Sequence, residues 1–392
     1  MILGASILQV PAILEAKKMG LTVIAVDMNP DAIGFDMADK KIVISTIDIE
    51  GVLKIAREEK IDGIMTLASD MPMRTVATVA KELGLVGIDV QTAINATDKS
   101  IMRECLKDKC VPIPKFYKVA SFEEYKNVVK LFKESFIVKP ADSSGSRGIF
   151  LIEDLLDENI INHAYEYSKQ FSRNGIVLVE EFMTGSEVSV ETLSVNGKCE
   201  VIQITDKLTT GAPYFVEMGH SQPSRHSLEV IEKIKEVAIL AVNAIGIKDG
   251  PSHTEIMVTK DGPKIVELGA RLGGDCITTH LVPLSTGVNM VRNCILIALG
   301  EKPDLEIKFS RGSAIRYFNS KKGTLKEIKN IDKAKLIDGI KEISVVKSVG
   351  ETITDINSST ARIGFVIADG ENKDIAIDIC DKAIKEIEVV IE

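Results

Sequence analysis

Three groups of residues in this 392-residue chain have types and spacings suited to chemistry on a phosphorylated substrate. The first is the run from Phe136 to Ile149, where apolar residues of strand propensity deliver Lys139 and then give way to Ser143-Ser144-Gly145-Ser146-Arg147-Gly148. Small side chains let backbone N–H groups approach anionic oxygens, and a lysine at the strand end adds charge without blocking them. Lys139 is then the charge and Ser143 to Gly148 the cradle, although the loop alone reads equally well as a solvated connection between strands.

The second group is a pair of acids. Glu255 and Glu267 lie on the runs Thr254 to Val258 and Lys264 to Leu268, with Lys260-Asp261-Gly262 turning between them. A three-residue loop with Gly262 left-handed pairs Thr259 with Pro263 and sets Glu255 opposite Glu267, whereas a two-residue loop sends the acids to opposite faces. Facing carboxylates repel, and a hard divalent cation, Mg²⁺ or alternatively Mn²⁺, resolves the conflict through oxygen ligands. Alone, the pair also reads as two solvated acids. The third group, Arg271 with Gly273 and Gly274, follows directly and offers a fixed guanidinium to carboxylate or phosphoryl oxygens.

The elements that must hold these groups are legible as alternating patterns. Over residues 1–95, short apolar runs (Ile2-Leu3, Thr22 to Val26, Gly63 to Thr66) alternate with amphipathic helices (Gln9 to Met19, Ile49 to Glu59, Met73 to Leu83), which predicts βαβ units around a parallel sheet. The first strand is short, as though residues preceded it. Gly4 and Asp27 invite a nicotinamide reading, but Ser6 and Gln9 replace the second and third glycines of the dinucleotide fingerprint. Thr97-Asp98 caps a helix running to Leu106 and places Lys99 in its first turn, against the helix dipole unless an anion offsets it. Further on come a helix from Ser121 to Lys133, a helix from Glu158 to Phe171, the strand Ile176 to Glu181, a hairpin turning at Asn196-Gly197, and a long helix from Leu228 to Ile245. Residues 306–392 hold several β-rich segments and a final helix near Ile375 to Ile387.

Composition limits the function classes. A chain of this length exceeds a single core and calls for two or three domains sharing a cleft. The apolar content of 45% and charged content of 27% are ordinary for a globular protein. A net charge of -9 argues against a general nucleic-acid surface, so an anionic substrate needs a local basic pocket. Six cysteines without C-x-x-C pairing imply thiols in a reducing compartment, and no run reaches membrane-spanning length, so a cytoplasmic location is expected. Among the remaining candidates, His253 alternates onto the Glu255 face but reads more readily as a structural histidine. His220 and Arg225 sit in a polar segment suited either to gripping a small substrate or to a surface loop. Cys276 lacks a base partner and reads as a buried thiol.

Together, Lys99, Lys139 and its loop, the Val179-Glu180-Glu181-Phe182-Met183-Thr184-Gly185-Ser186-Glu187 segment, Glu255, and Glu267-Leu268-Gly269-Ala270-Arg271 resemble the ATP-grasp superfamily of carboxylate–amine and related ligases. The resemblance implies a multidomain α/β and α+β architecture: a Rossmann-like domain over 1–95, an ATP-grasp domain of two α+β lobes over 96–305, and a smaller α+β domain over 306–392. By position, Lys99 and Lys139 match the lysines on the ATP phosphates, and Ser143, Ser144, Gly145, Ser146 and Gly148 match the closing loop. Glu180, Glu181, Phe182 and Met183 match the adenine hinge, and Glu187 the acid on the ribose. Glu255 and Glu267 match the metal ligands, and Arg271 the cation at the acyl phosphate; His220, His253, Gly273 and Gly274 are candidates for the substrate side from their positions alone. Many members read Glu-x-Asn-x-Arg where Gly269 stands here. The implied reaction activates a carboxylate with ATP and joins it to an amine, amino acids being the favoured class. The implied partners are small molecules, without nucleic acid or membrane, and with a homodimer left open. A purine-pathway ligase, a carboxylase (though no Met-Lys-Met biotin site occurs) and a nucleotide-binding protein without ligase activity remain alternatives.

Overall fold

The computed structural model describes residues 1–143, 147–319 and 321–392, and the loop residues Ser144, Gly145 and Ser146 lie outside it. Four sheets organise the described residues. The parallel sheet expected near the N-terminus is present, formed by Ile2–Leu3, Ile24–Asp27 and Lys40–Val43. The Gly63 to Thr66 run, predicted as a fourth strand, contributes only an isolated bridge between Ile2 and Met65.

Helices start and stop where the sequence provides caps. Asp98 accepts from the amides of Ser100 and Ile101 and so opens the helix Lys99–Asp108. Ser227 caps Leu228–Ile245, which ends at Gly246 in the left-handed conformation. That long helix buries Ile234, Val237, Ala238, Ala241, Val242 and Ile245, spaced by three and four, against Ile256, Ile265 and Leu268 of the acidic hairpin. Each fully buried isoleucine or leucine in this layer contributes about 1.5–3 kcal/mol, so the hairpin has a firm backing.

A four-stranded antiparallel sheet carries the Lys139 strand in its interior, in the order Phe116–Val119, Val177–Glu181, Phe136–Pro140, Phe150–Ile152. An eight-stranded antiparallel sheet carries the acids at one edge. Its order is Gly262–Gly269, Gly250–Thr259, Ser186–Val195, Lys198–Thr209, Glu217–Gln222, Gly312–Tyr317, Gly364–Gly370, Ile340–Val345. The strand Glu217–Gln222 pairs with Gly312–Tyr317, so the large sheet runs without interruption from the middle of the chain into its C-terminal region. Asn196 and Gly197 both take positive φ and join two of these strands in the tight turn their types predict.

The acidic hairpin reaches the expected pairing by an unexpected route. Thr259 pairs with Gly262, so the loop has two residues, Lys260 and Asp261, rather than three. That register holds as far as Ile256 opposite Ile265 and by itself would turn Glu267 away. One extra residue, Val266, then bulges out of the ladder, and Glu255 falls opposite Glu267 after all.

Candidate active site

Lys99, Lys139, Glu187, Glu255, Glu267 and Arg271 converge on one cavity of about 320 Å³. Its walls divide between apolar side chains, among them Ile137, Ile149, Phe182, Met183, Phe215 and Met257, and charged ones. Such a division suits a molecule with a flat apolar end and a charged tail.

Lys139 reaches the cavity from the interior of the four-stranded sheet and pairs with Glu180 at 2.7 Å. Arg103, from the helix Lys99–Asp108, holds the same carboxylate from the other side at 2.7 and 3.1 Å. Burial opposes the charged form of Glu180, but Arg103 and Lys139 outweigh it and bring its pKa down to about 2. Burial lowers the Lys139 pKa, Glu180 resists that fall, and the neighbouring cations Arg103 and Lys99 add to it. The next acid on that strand, Glu181, pairs with Lys264 at 3.2 Å and accepts from the amide of Lys115.

On the facing side, each acid of the opposed pair is met by its own ammonium. Lys99 donates to Glu267 at 2.6 Å and to the carbonyl of Ser143 at 2.7 Å. Its place in the first helical turn is therefore offset by Glu267; burial lowers the Lys99 pKa, but Glu267, with Asp70 and Glu255 behind it, raises it further. Lys207 lies among three carboxylates, 2.5 Å from Glu187, 3.2 Å from Glu255 and 3.5 Å from Glu217. Burial lowers the Lys207 pKa, yet the three acids carry it well above its ordinary value. Burial disfavours the Glu255 carboxylate, but Lys207 and His253 keep it ionised.

His253 is buried and donates Nδ1–H to Glu191 at 2.6 Å while its Nε2 stands 3.6 Å from Glu255. Desolvation lowers its pKa, but Glu191 and Glu255 lift it to about 9. Gly273 makes this possible, since a Cβ there would come within 2.7 Å of His253 Nδ1 and 2.9 Å of Glu191. Gly273 supports the wall from behind, while Gly274 lines the cavity itself. Gly148 lies at the base of its loop beneath Phe171, outside the cavity lining, with its carbonyl bound by Ser168.

Arg271 pairs with Asp70 at 2.9 and 3.3 Å. Gly269 matters to that pair, because a Cβ there would approach Asp70 to 2.9 Å. The position that is asparagine in many ATP-grasp chains is thus the gap through which Asp70 reaches Arg271. At the far wall, Asp275 binds Arg362 through two 2.7 Å contacts and His220 at 3.3 Å, and Arg362 stacks over Tyr317 at 3.8 Å. Cys276 packs beside this wall, and burial pushes its thiol up to about 12, in keeping with an inert residue.

Asp70, Arg103, Glu191, Lys207, Glu217, Asp275 and Arg362 were not singled out by motif reasoning. One had a readable signal: Asp70 lies just beyond the run that bridges to the parallel sheet, at the C-terminal side where such sheets bind ligands.

Residues 132–279 match the family model for an ATP-grasp domain, and residues 316–392 match the L-amino acid ligase C-terminal domain 2. The chain thus carries an ATP-grasp domain followed by an L-amino acid ligase C-terminal domain. It is similar to an L-arginine-specific L-amino acid ligase of Bacillus subtilis, 25% identical over 332 residues that span 82% of this chain and 79% of the relative. Among solved structures it resembles an L-amino acid ligase from Bacillus licheniformis, with a TM-score of 0.86 and 22% identity over 100% of this chain and 98% of that one. A phosphoribosylglycinamide synthetase from Anaerococcus prevotii aligns with a TM-score of 0.80 and 24% identity, again over 100% and 98%. The ATP-grasp assignment fits the two facing sheets, whose lysines and acids meet across the cavity. Among the described residues no single helix is long and apolar enough to cross a membrane.

Proposed function

We propose that this chain activates a carboxylic acid as an acyl phosphate at the expense of ATP and joins it to the amine of an amino acid. The observation that carries this reading is the meeting of Lys99 and Lys139 with the opposed acids Glu255 and Glu267 in one cavity. The apolar part of the wall, with Phe182 and Met183, takes the adenine, and Glu187 takes the ribose hydroxyls. Ammonium groups from both sides then face the phosphates.

The donor set fits a divalent cation. Two carboxylates face each other on neighbouring strands and are 25% and 31% exposed, so both remain reachable from the cavity. Among the described residues no group of three or more His, Cys, Asp or Glu side chains forms a metal cage by itself. That suits Mg²⁺, which takes one or two carboxylates and completes its shell with substrate oxygens and water. Glu255 and Glu267 would hold it, and when bound it neutralises charge on the phosphates.

In the first half-reaction a carboxylate oxygen of the acid attacks the γ-phosphorus, the bond to the β-phosphate oxygen breaks, and ADP leaves. Lys139 and Lys99 attract the phosphate oxygens, and Arg271, steadied by Asp70, faces the acyl phosphate. In the second, the uncharged amine attacks the acyl carbon, inorganic phosphate departs and the amine proton passes to solvent. The products are an amide, ADP, phosphate and one proton. Excluding water matters because hydrolysis competes with the amine, and the resemblance gives that role to the loop from Ser143 to Gly148.

The test is incubation with Mg²⁺, ATP and pairs of amino acids, following ADP release and new amides by mass spectrometry. Amine-dependent ADP release with a matching amide supports the reading. ATP binding without amine-dependent turnover removes it.

A further inference from the structure

The acidic pair depends on the Val266 bulge, and the bulge is gripped by one short stretch of chain. Among the described residues, Arg103 is the largest side chain that is fully buried. Its Nη2 donates at 2.7 Å to the carbonyl of Val266, the extra residue, while its Nε and Nη2 hold Glu180. Nine residues on, the carbonyl of Pro112 accepts from the amide of Ile265, just before the bulge. One helical turn before Arg103, Lys99 holds Glu267, just after it. Residues 265, 266 and 267 are each tied to the segment 99–112.

We infer that Arg103 is a positioning residue that fixes the register of the acidic hairpin, and so the metal ligand Glu267, against the Lys139 and Glu180 pair of the opposite sheet. A bulge leaves backbone polar groups outside the ladder, and a buried carbonyl without a partner is unfavourable. Arg103 supplies that partner and, with the same guanidinium, neutralises Glu180. A lysine is shorter and has no planar fork, so its ammonium cannot hold both Glu180 oxygens and the Val266 carbonyl together. Without the arginine, the ladder gains by slipping to the unbulged register, which places Val266 opposite Glu255 and turns Glu267 away. Glu180 still keeps Lys139, so the nucleotide end of the cavity is spared.

This inference rests on the ATP and Mg²⁺ reading, and its test does not need the ligase reaction. Calorimetric titration of the native chain, R103K and R103M with ATP, in EDTA and in excess Mg²⁺, measures how far the metal tightens nucleotide binding. Both variants are expected to bind ATP in EDTA within about threefold of the native chain and to lose about tenfold or more of the Mg²⁺-dependent gain. Equal weakening under both conditions, or an unchanged gain, overturns the inference. A merely structural arginine lowers both affinities together. A chain lacking Val266 gives a second measurement that survives poor folding of the arginine variants, because an unbulged ladder there sets Glu255 opposite Glu267 unaided. It is expected to retain the metal gain, and loss of that gain overturns the inference. A native chain that binds no ATP in either condition overturns the functional reading, and the inference falls with it.

Discussion

The two sides of the cavity hold charge in different ways. On the Lys139 side, Arg103, Lys139 and Glu180 have side chains 1%, 8% and 5% exposed and form a closed group in which one carboxylate serves two cations. On the hairpin side, Glu255 and Glu267 are 25% and 31% exposed, and each is met by an ammonium with other partners as well. A buried, fully paired group is costly to rearrange, because breaking it leaves an uncompensated charge in a poorly solvated site. A half-exposed pair exchanges one cation for another at lower cost. The first side is a fixed cationic floor, and the second is an acidic wall whose lysines can exchange partners, as the proposed binding of a metal and phosphate oxygens would require.

Removing the chemistry from either side is expected to have the largest effect. K139M and E267Q should each lower amine-dependent ADP release by about a hundredfold or more while circular dichroism and melting stay cooperative; near-native turnover in both breaks the account of the site. Next in size is K207M, which leaves Glu187, Glu217 and Glu255 facing one another. It should cost about 3 kcal/mol of stability in thermal unfolding, and Mg²⁺ should restore part of the lost melting temperature in this variant more than in the native chain. An equal Mg²⁺ shift in both would erase the distinction between exchangeable and fixed cations.

The fixed side makes a pH prediction. Glu180 has its pKa depressed from 4.5 to about 2, so its contribution is present above 4.5 and is lost as pH falls toward 2. E180Q should therefore be less stable than the native chain at pH 7 by about 3 kcal/mol, and the gap should narrow on acidification over that window. A gap independent of pH contradicts the ion-pair origin. The smallest effect concerns the far wall. Cys276, with its thiol pushed up to about 12, should alkylate with iodoacetamide at pH 8 far more slowly than the exposed Cys110, as peptide mapping would show.

What was legible in the sequence divides along the same line. Capped and periodic elements such as Leu228–Ile245 and Met73–Leu83 were read to the residue, because local propensity and burial agree there. The ATP-grasp architecture followed from weak motifs in the right order. The facing acids were anticipated through the wrong loop: two residues turn the hairpin, and a bulge at Val266 repairs the register. A bulge carries no local signature in Ile265-Val266-Glu267; it is stabilised by Arg103, far away in sequence. Asp70 and Lys207 escaped notice for a related reason. Each gains its role from partners on other elements, Arg271 for one and three acids for the other, and single-residue chemistry does not announce such meetings. Gln9 shows the reverse case, where failure of the glycine fingerprint was readable. Its side chain packs against Gly4, accepts from Ser6 and donates to Leu67, closing the loop where a dinucleotide would need room.

Arg362 bears on how the protein comes into being. Asp275 has its principal cationic partner in this late residue, which stacks on Tyr317 and also binds the Glu217 carbonyl. During translation the N-terminal parts leave the ribosome first and fold as they emerge, so a nascent chain can assemble the four-stranded sheet and the acidic-hairpin end of the eight-stranded sheet while this wall stands unanchored. The cleft acquires its final shape only after residue 362 has cleared the exit tunnel.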